Sequence, residues 1–463
     1  MKGLLLISGL GVLAMLAEIF KMRKLLLPVV LLGIVGAYAL NFMEWNSGFQ
    51  ISYFSNMINF DKMGIAFSGI IIATAFFWFI LAGDHFENDN SLVDQIALVL
   101  FALVGALMLT SFTNMCTLFL GVEIMSIPLY VLAASNKKDM KSNEAGFKYL
   151  IMGSFASGFL LFGIALIYGA SGTFDIIAIR QYIADQTGEI PLFFYAGVIL
   201  MLIAMSFKVS AAPFHFWAPD VYQGSPTLVT ALMSTVVKTA AFAAFLRLFM
   251  VGFSGISEVW TGILATIVAL SLVIANFSAA MQNNVKRMLA YSSISHAAFM
   301  LMVILANNRS NLSVDAIIYY SLAYSIGNIA AFGIVKNVCA DGDEGIDRFN
   351  GLAKRNPALA LCMSIAMLSL AGIPVTSGFF AKYFVFTAMM STSYKWILIL
   401  AVLTSAVGVY YYMKVIIAMY FKTADTSSPV EVKGSNNMVI AITSVIVIAL
   451  GVVPGLVAEM FKF

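Results

Sequence analysis

Apolar residues run along this chain in blocks of about twenty, separated by short polar or glycine- and proline-bearing joints. The blocks are too long for strands, and about 20 apolar residues suffice for a helix to cross a hydrocarbon core. The pattern predicts about fourteen membrane helices, near 3–20, 25–43, 63–82, 92–111, 113–135, 147–169, 191–215, 226–250, 258–280, 288–306, 314–338, 357–390, 396–421 and 437–458. The fourth and fifth nearly touch, joined by a tight turn around Ser111–Asn114. The twelfth would be roughly 50 Å long at 1.5 Å per residue, too long for one straight crossing of a core of about 30 Å. It contains Gly372-Ile373-Pro374, which predicts two half-helices.

A second interruption is predicted in the seventh block. Lys208 sits there at membrane depth, and Pro213 cannot donate to the carbonyl of Val209, so the helix should break beside the lysine. Five spans separate the two broken helices, an odd number of crossings. Units of five helices, residues 92–257 and 258–421, would then be inverted relative to each other, as in transporters whose discontinuous helices occupy equivalent places. Residues 1–91 supply three spans ahead of these units and 422–463 one span after them. Pro128 predicts a local irregularity in the fifth span. Two segments lie off the pattern: Thr173–Ala184, short and amphipathic, at the outer surface, and Asp341–Arg355, a charged cytoplasmic loop.

Composition agrees with this reading. The 463 residues are 61% hydrophobic and 11% charged, against about 25% charged in soluble domains. The net charge of +3 and the lack of a basic run give no sign of a nucleic-acid partner. The three cysteines form no CxxC motif, which argues against an iron–sulfur or zinc site. No haem-holding histidine pairs and no dinucleotide fingerprint are visible. The N-terminal block shows no cleavage site and reads as a retained first span, Gly3–Phe20.

Charge in the joints sets the orientation. Lys21, Arg23, Lys24, Lys137, Lys138, Lys141, Lys148, Lys286, Arg287, Lys336, Arg348, Lys354, Arg355, Lys422 and Lys433 fall on one side, and Lys2, Lys62, Arg180, Arg309, Lys395 and Lys462 on the other. The positive-inside rule places the richer side in the cytoplasm and both termini outside. The loop Asp84–Ser91 dissents, being cytoplasmic without a cation.

Four ionisable groups lie at membrane depth: Glu123, Lys208, Lys238 and Lys382. Their gross insertion cost is roughly 10 kcal/mol, so pairing or hydration is expected, with Glu123 the natural partner of Lys208. A structural ion pair would account for those two but leave Lys238 and Lys382 without acids. A proton path uses all four, because burial and a nearby carboxylate move a lysine's affinity for its proton in opposite directions. His296, among Ser292, Ser293 and Ser295, fits a water-holding relay and a histidine bonded to a backbone carbonyl equally well. Glu144 and Lys148, at the cytoplasmic mouth of the sixth span, fit a proton intake or a helix-end pair equally well. His215 reads as structural, and Arg247 as a side chain snorkelling from a helix end.

The stretch Lys208–Asp220 with Val221-Tyr222-Gln223-Gly224-Ser225-Pro226-Thr227 resembles the KVSAxPFHFWxPDVYxGxPT signature of subunit N of respiratory complex I. Leu120–Ser126 resembles that family's fifth-helix motif, Val285–His296 its VKRxLAYSSISH motif, and Leu370–Phe384 its LAGIPxTxGFxxKxxxF motif. Ala297-Ala298 stands where a glycine is common. The resemblance implies a proton-translocating subunit of a bacterial NADH:quinone oxidoreductase in the inner membrane, with no redox centre of its own. It implies Glu123 and Lys208 as a switching pair, Lys238 as the connecting residue and Lys382 as the residue toward the periplasmic exit. The partners implied are other membrane subunits, namely the antiporter-like subunit M, the small subunit K and the lateral helix of subunit L. Quinone, FMN and iron–sulfur clusters are expected elsewhere in that complex. An Mrp-type sodium/proton antiporter and a purely structural membrane-arm subunit are the alternatives.

The topology has a direct test. A cysteine in Lys138→Cys should resist an impermeant reagent in intact cells, and one in Gly188→Cys should react. The opposite labelling would invert the orientation.

Overall fold

The computed structural model describes residues 1–20, 23–47, 51–87, 92–186, 189–306, 311–340, 342–424 and 429–455. Several residues named above therefore lie outside it: Lys21, residues 88–91 of the loop after Asp84, Gly188, Arg309, Asp341 and Lys462. The chain is a multi-pass helical bundle. Eleven helices are long and apolar enough to cross a membrane, and three shorter apolar ones accompany them, among the described residues.

The bundle opens with α1 (Lys2–Ala17), α2 (Arg23–Ser47) and α3 (Lys62–Glu87). Next come α4 (Leu92–Ser111), α5 (Met115–Ala133) and α6 (Met140–Ser171). The turn between α4 and α5 is closed by Asn114, whose side chain accepts from Cys116 N and caps α5. The amphipathic α7 (Ile176–Asp185) is capped by Asp175 and buries Ile176, Ile179 and Ile183. Then follow α8 (Leu192–Lys208), the short α9 (Trp217–Gly224), α10 (Thr227–Leu232) and α11 (Lys238–Leu246). The second half holds α12 (Ser257–Ala280), α13 (Val285–Ala306), α14 (Asn311–Val338), the single turn α15 (Leu352–Arg355), α16 (Pro357–Ala371), α17 (Ser377–Met390), α18 (Lys395–Phe421) and α19 (Gly434–Val452). In packing, α4 lies along α5 as α12 lies along α13. Likewise α6 lies along α8 as α14 lies along α16 and α17.

The twelfth block divides as its glycine and proline predict. Gly372 ends α16 in the left-handed conformation at φ 84°, which glycine adopts without penalty, and α17 resumes at Ser377. The seventh block breaks beside the lysine, as Pro213 predicts, and the rest of it is irregular. α8 stops at Lys208, residues 209–216 are irregular, and Ser210 takes φ 62°. The constraint from Pro213 is felt back to the lysine itself.

Four expectations need correction. The architecture is not wholly helical: Ile51–Tyr53 and Ile58–Phe60 form a small antiparallel hairpin, with Ile51 opposite Phe60. Its three-residue strands are too short to register beside blocks of twenty. α5 runs unbroken through Pro128, since neighbouring helices in a membrane bundle tolerate one lost bond. The eighth span is not one regular helix but is π-helical at Met233–Val237 and again at Arg247–Gly252, on either side of α11. Arg247 does not snorkel. It is buried, and its guanidinium forks onto Asp61 at 2.7 and 2.9 Å and reaches the Thr110 carbonyl at 2.9 Å. That acid comes from 186 residues earlier in the chain, so no local pattern could announce it.

The dissenting acidic loop is served from a distance as well. Lys336 of α14 binds Asp84, and Asn436 of α19 donates to the other Asp84 oxygen at 3.1 Å. The charged loop before α15 is docked rather than free: Lys286 Nζ meets Glu344 at 2.9 Å, and Val285 N donates to the Glu344 carbonyl at 2.8 Å.

Removing Asp61 would strand a buried guanidinium, which costs roughly 3–5 kcal/mol. Asp61→Ala should therefore lower the thermal unfolding midpoint of the purified protein clearly. Asp61→Ala with Arg247→Met should recover much of the loss. Equal midpoints for Asp61→Ala and the unaltered protein would remove the ion pair from the stability of this side.

Candidate functional site

The first cluster lies where α5, α6 and α8 meet. Gly163 and Gly197 bring α6 and α8 into close approach: a Cβ on either would come within 2.8–2.9 Å of the other's carbonyl oxygen. This sets Ser157 of α6 opposite the end of α8. Glu123 and Lys208 share the cluster but not a hydrogen bond. Ser157 Oγ donates to Glu123 Oε1, and Lys208 Nζ donates to Ser126 Oγ. The direct pair expected from sequence is thus replaced by two hydroxyl-bound charges. A cavity of about 20 Å³, bounded by Ser126, Ser157, Tyr130 and Lys208, lies between the helices, and about 10–15 Å³ holds one water. Lys208 occupies the last turn of α8, where helix carbonyls favour a cation.

The break that follows is satisfied by its surroundings. Trp217 Nε1 donates to the Phe207 carbonyl at 3.2 Å and Ala212 N to Ser271 Oγ at 2.8 Å. Trp217 stacks on Tyr149 of α6, centroids 4.7 Å apart and nearly parallel. His215 is buried, and its Nδ1 makes no hydrogen bond.

The second cluster surrounds Lys238. It follows directly on the π turn at Met233–Val237, a distortion often found at functional sites, and its side chain is 1% exposed. Its ammonium binds the Ser293 carbonyl and, at 3.0 Å, the Ser293 hydroxyl. One turn along α13, His296 Nδ1 lies 2.6 Å from the Tyr320 hydroxyl and Nε2 3.2 Å from the Tyr412 hydroxyl. Tyr412 also binds Ser292. Both ring nitrogens therefore meet phenols, not a backbone carbonyl. A cavity of about 10 Å³ separates His296 and Tyr320 from Ser369 and Gly378 of the second broken helix.

Lys382 stands at that break. Its ammonium donates to the Ala371 carbonyl at 2.7 Å and to Ser405 Oγ at 2.9 Å, and lies 5.1 Å from the centre of the Phe299 ring. The carbonyl is one that the end of α16 leaves free of helical bonding, and the ring adds a cation–π contact.

Glu144 and Lys148 belong to a fourth, more exposed cluster around a cavity of about 210 Å³. Lys148 binds Glu144 at 2.6 Å and Asp220 at 3.0 Å, and Arg287 binds the other Asp220 oxygen at 2.7 Å and Gln223 at 2.9 Å. Burial tends to raise the Asp220 carboxyl, but Arg287 and Lys148 outweigh it and hold it below its usual range. Asp220 and Arg287 stand inside the quoted motifs but were not singled out. Ser126, Ser157, Tyr320, Tyr412 and Ser405 were missed as partners; hydroxyls at membrane depth were the available signal.

Residues 113–408 match the family described as NADH:quinone oxidoreductase/Mrp antiporter, TM. The chain belongs to that family. It is 44% identical to the NADH-quinone oxidoreductase subunit N of Flavobacterium johnsoniae, with 100% of each chain covered. Among solved structures, a chain of respiratory complex I from Thermus thermophilus superposes with TM-score 0.84 at 31% identity, over 98% of each chain. A chain of the Mrp complex from Dietzia sp. DQ12-45-1b shares the fold, with TM-score 0.87 at 20% identity over 99% of this chain and 95% of that one.

The tyrosine–histidine–serine chain has the chemistry to pass a proton, because each hydroxyl both donates and accepts and imidazole does so near neutral pH. Tyr412→Phe removes the hydroxyl shared by Ser292 and His296. Its neighbour Tyr411 donates to Asn276, at 3.2 Å, and meets the Tyr412 hydroxyl but not His296 or Ser292 among the described residues. Proton uptake by membrane vesicles should fall about tenfold or more in Tyr412→Phe and much less in Tyr411→Phe. Equal losses would mean that the Tyr412 hydroxyl only packs.

Proposed function

We propose that this chain is a proton-translocating membrane subunit of a bacterial NADH:quinone oxidoreductase, moving protons from cytoplasm to periplasm while quinone is reduced in other subunits. One observation carries the reading. Lys208, Lys238 and Lys382 are all buried, yet none forms an ion pair among the described residues. Each is met by a hydroxyl or a carbonyl oxygen. A lysine serving only to lock helices would be neutralised by a carboxylate. A lysine bound by neutral oxygens can give up its proton without leaving an unpaired anion behind.

In this reading Glu123 and Lys208 switch, with Ser126, Ser157 and the intervening cavity as the path between them. Lys238 and His296 connect, and Lys382 faces the exit. Glu144 and Lys148 stand at the intake, where Asp220 and Arg287 join them. The shared packing of α4 to α8 and α12 to α17 supports two inverted five-helix units. Fourteen crossings follow if α1, α8 and the pair α16–α17 each span, and both termini then face the periplasm. Neighbouring antiporter-like and small membrane subunits, M and K, and the lateral helix of L flank the chain. FMN, the iron–sulfur clusters and quinone are assigned to other subunits, and none to this one.

Replacing Lys208 tests the reading. Lys208→Ala, in a complex whose assembly is verified, should lose proton uptake and quinone reduction together, because the two processes are coupled. Normal uptake by the assembled variant would overturn it.

A further inference from the structure

The C-terminal helix stands outside both five-helix units, yet its far end reaches the second helix break. α19 packs along α14, α16 and α17. At Gly451 it meets the backbone of Val375 and Thr376 so closely that a Cβ would fall 2.5 Å from Thr376 Cα and nearer still to the Val375 carbonyl. Val375 itself takes φ 75°. A β-branched residue there is strained and stays only where its surroundings hold it. Tyr319 of α14 fastens the same end of α19, donating from its hydroxyl to the Leu450 carbonyl at 2.8 Å. The next residue, Tyr320, is the one bonded to His296.

The other side of the break bears on Lys382. A Cβ at Gly372 would lie 2.8 Å from Lys382 Cδ, and the lysine ammonium binds the Ala371 carbonyl at 2.7 Å. Residues 371–376 therefore have Lys382 against one end and Gly451 against the other.

We infer that the end of α19 positions Lys382, with Gly451 and Tyr319 holding the strained loop 372–376 so that the Ala371 carbonyl faces the ammonium. They are positioning residues: neither touches the lysine. The inference rests on Lys382 taking part in proton transfer.

The experiment measures proton uptake against pH in vesicles bearing the assembled complex. Gly451→Ala should force the loop away and lower uptake about tenfold or more, with a displaced pH profile. Gly434→Ala is the control on the same helix, since nothing lies within 4 Å of a Cβ there, and it should pump normally. Adding Val375→Gly to Gly451→Ala should restore much of the rate, because glycine accepts the positive φ and lets the loop yield. Combined with Lys382→Ala, Gly451→Ala should cause no further loss, as expected for residues acting through one another. Tyr319→Phe adds no volume and should shift the pH profile in the same direction, so it carries the test if Gly451→Ala fails to assemble. A wild-type rate and profile in assembled Gly451→Ala or Tyr319→Phe, or losses that multiply with those of Lys382→Ala, would overturn the inference. Unchanged uptake in Lys382→Ala alone would instead remove the role of Lys382 on which it rests.

Discussion

An ammonium group buried among hydrocarbon side chains must be met by oxygen, and the rest of this structure follows from meeting that demand three times. The charge cost of a lysine at membrane depth is of order 2.5–3.5 kcal/mol even on permissive insertion scales. Carbonyls inside a helix are already bonded once within it, so a buried ammonium needs a side-chain hydroxyl, a carbonyl that accepts twice, or one freed at a helix end. One interruption frees such an oxygen, the Ala371 carbonyl that binds Lys382; Lys208 and Lys238 take theirs from unbroken helices, the Ser126 hydroxyl of α5 and the Ser293 carbonyl and hydroxyl of α13. Lys208 closes α8, Lys238 follows a π turn, and Lys382 lies beside the carbonyl of Ala371 at the end of α16. Irregular backbone at such depth is tolerated only where protein or a cavity covers it. The tryptophan, serine and glycine contacts around both breaks provide that cover.

The acids follow a different rule. Asp61, Asp84, Asp220 and Glu344 all sit near helix ends and all meet cations directly, within 3.0 Å or less. These pairs join segments far apart in sequence and hold the bundle's two surfaces. Glu123 departs from these four, bound by a serine hydroxyl and not by its neighbouring lysine.

Much of this was legible beforehand because it depends on local sequence. Length and hydropathy of the blocks placed most helix ends to within a few residues, though α6 begins at Met140 and not near 147, and Gly372-Ile373-Pro374 marked the second break. Four charged letters amid apolar runs marked the depth positions, whatever their partners. The resemblance carried by four motifs pointed to the family in which residues 113–408 then placed the chain.

What the sequence by itself determined, then, was which residues are forced into helices and which lysines fall among apolar neighbours, as their burial bears out, since both depend on runs of neighbours. Tertiary structure alone decided the partners. Arg247 met Asp61 across 186 residues, Lys238 met Ser293 across 55, and His296 met Tyr412 across 116. Hydrogen bonds act over about 3 Å, so which oxygen satisfies a buried charge depends on how helices pack, and helical periodicity carries no record of that. No letter in the block announced the π turns on either side of α11.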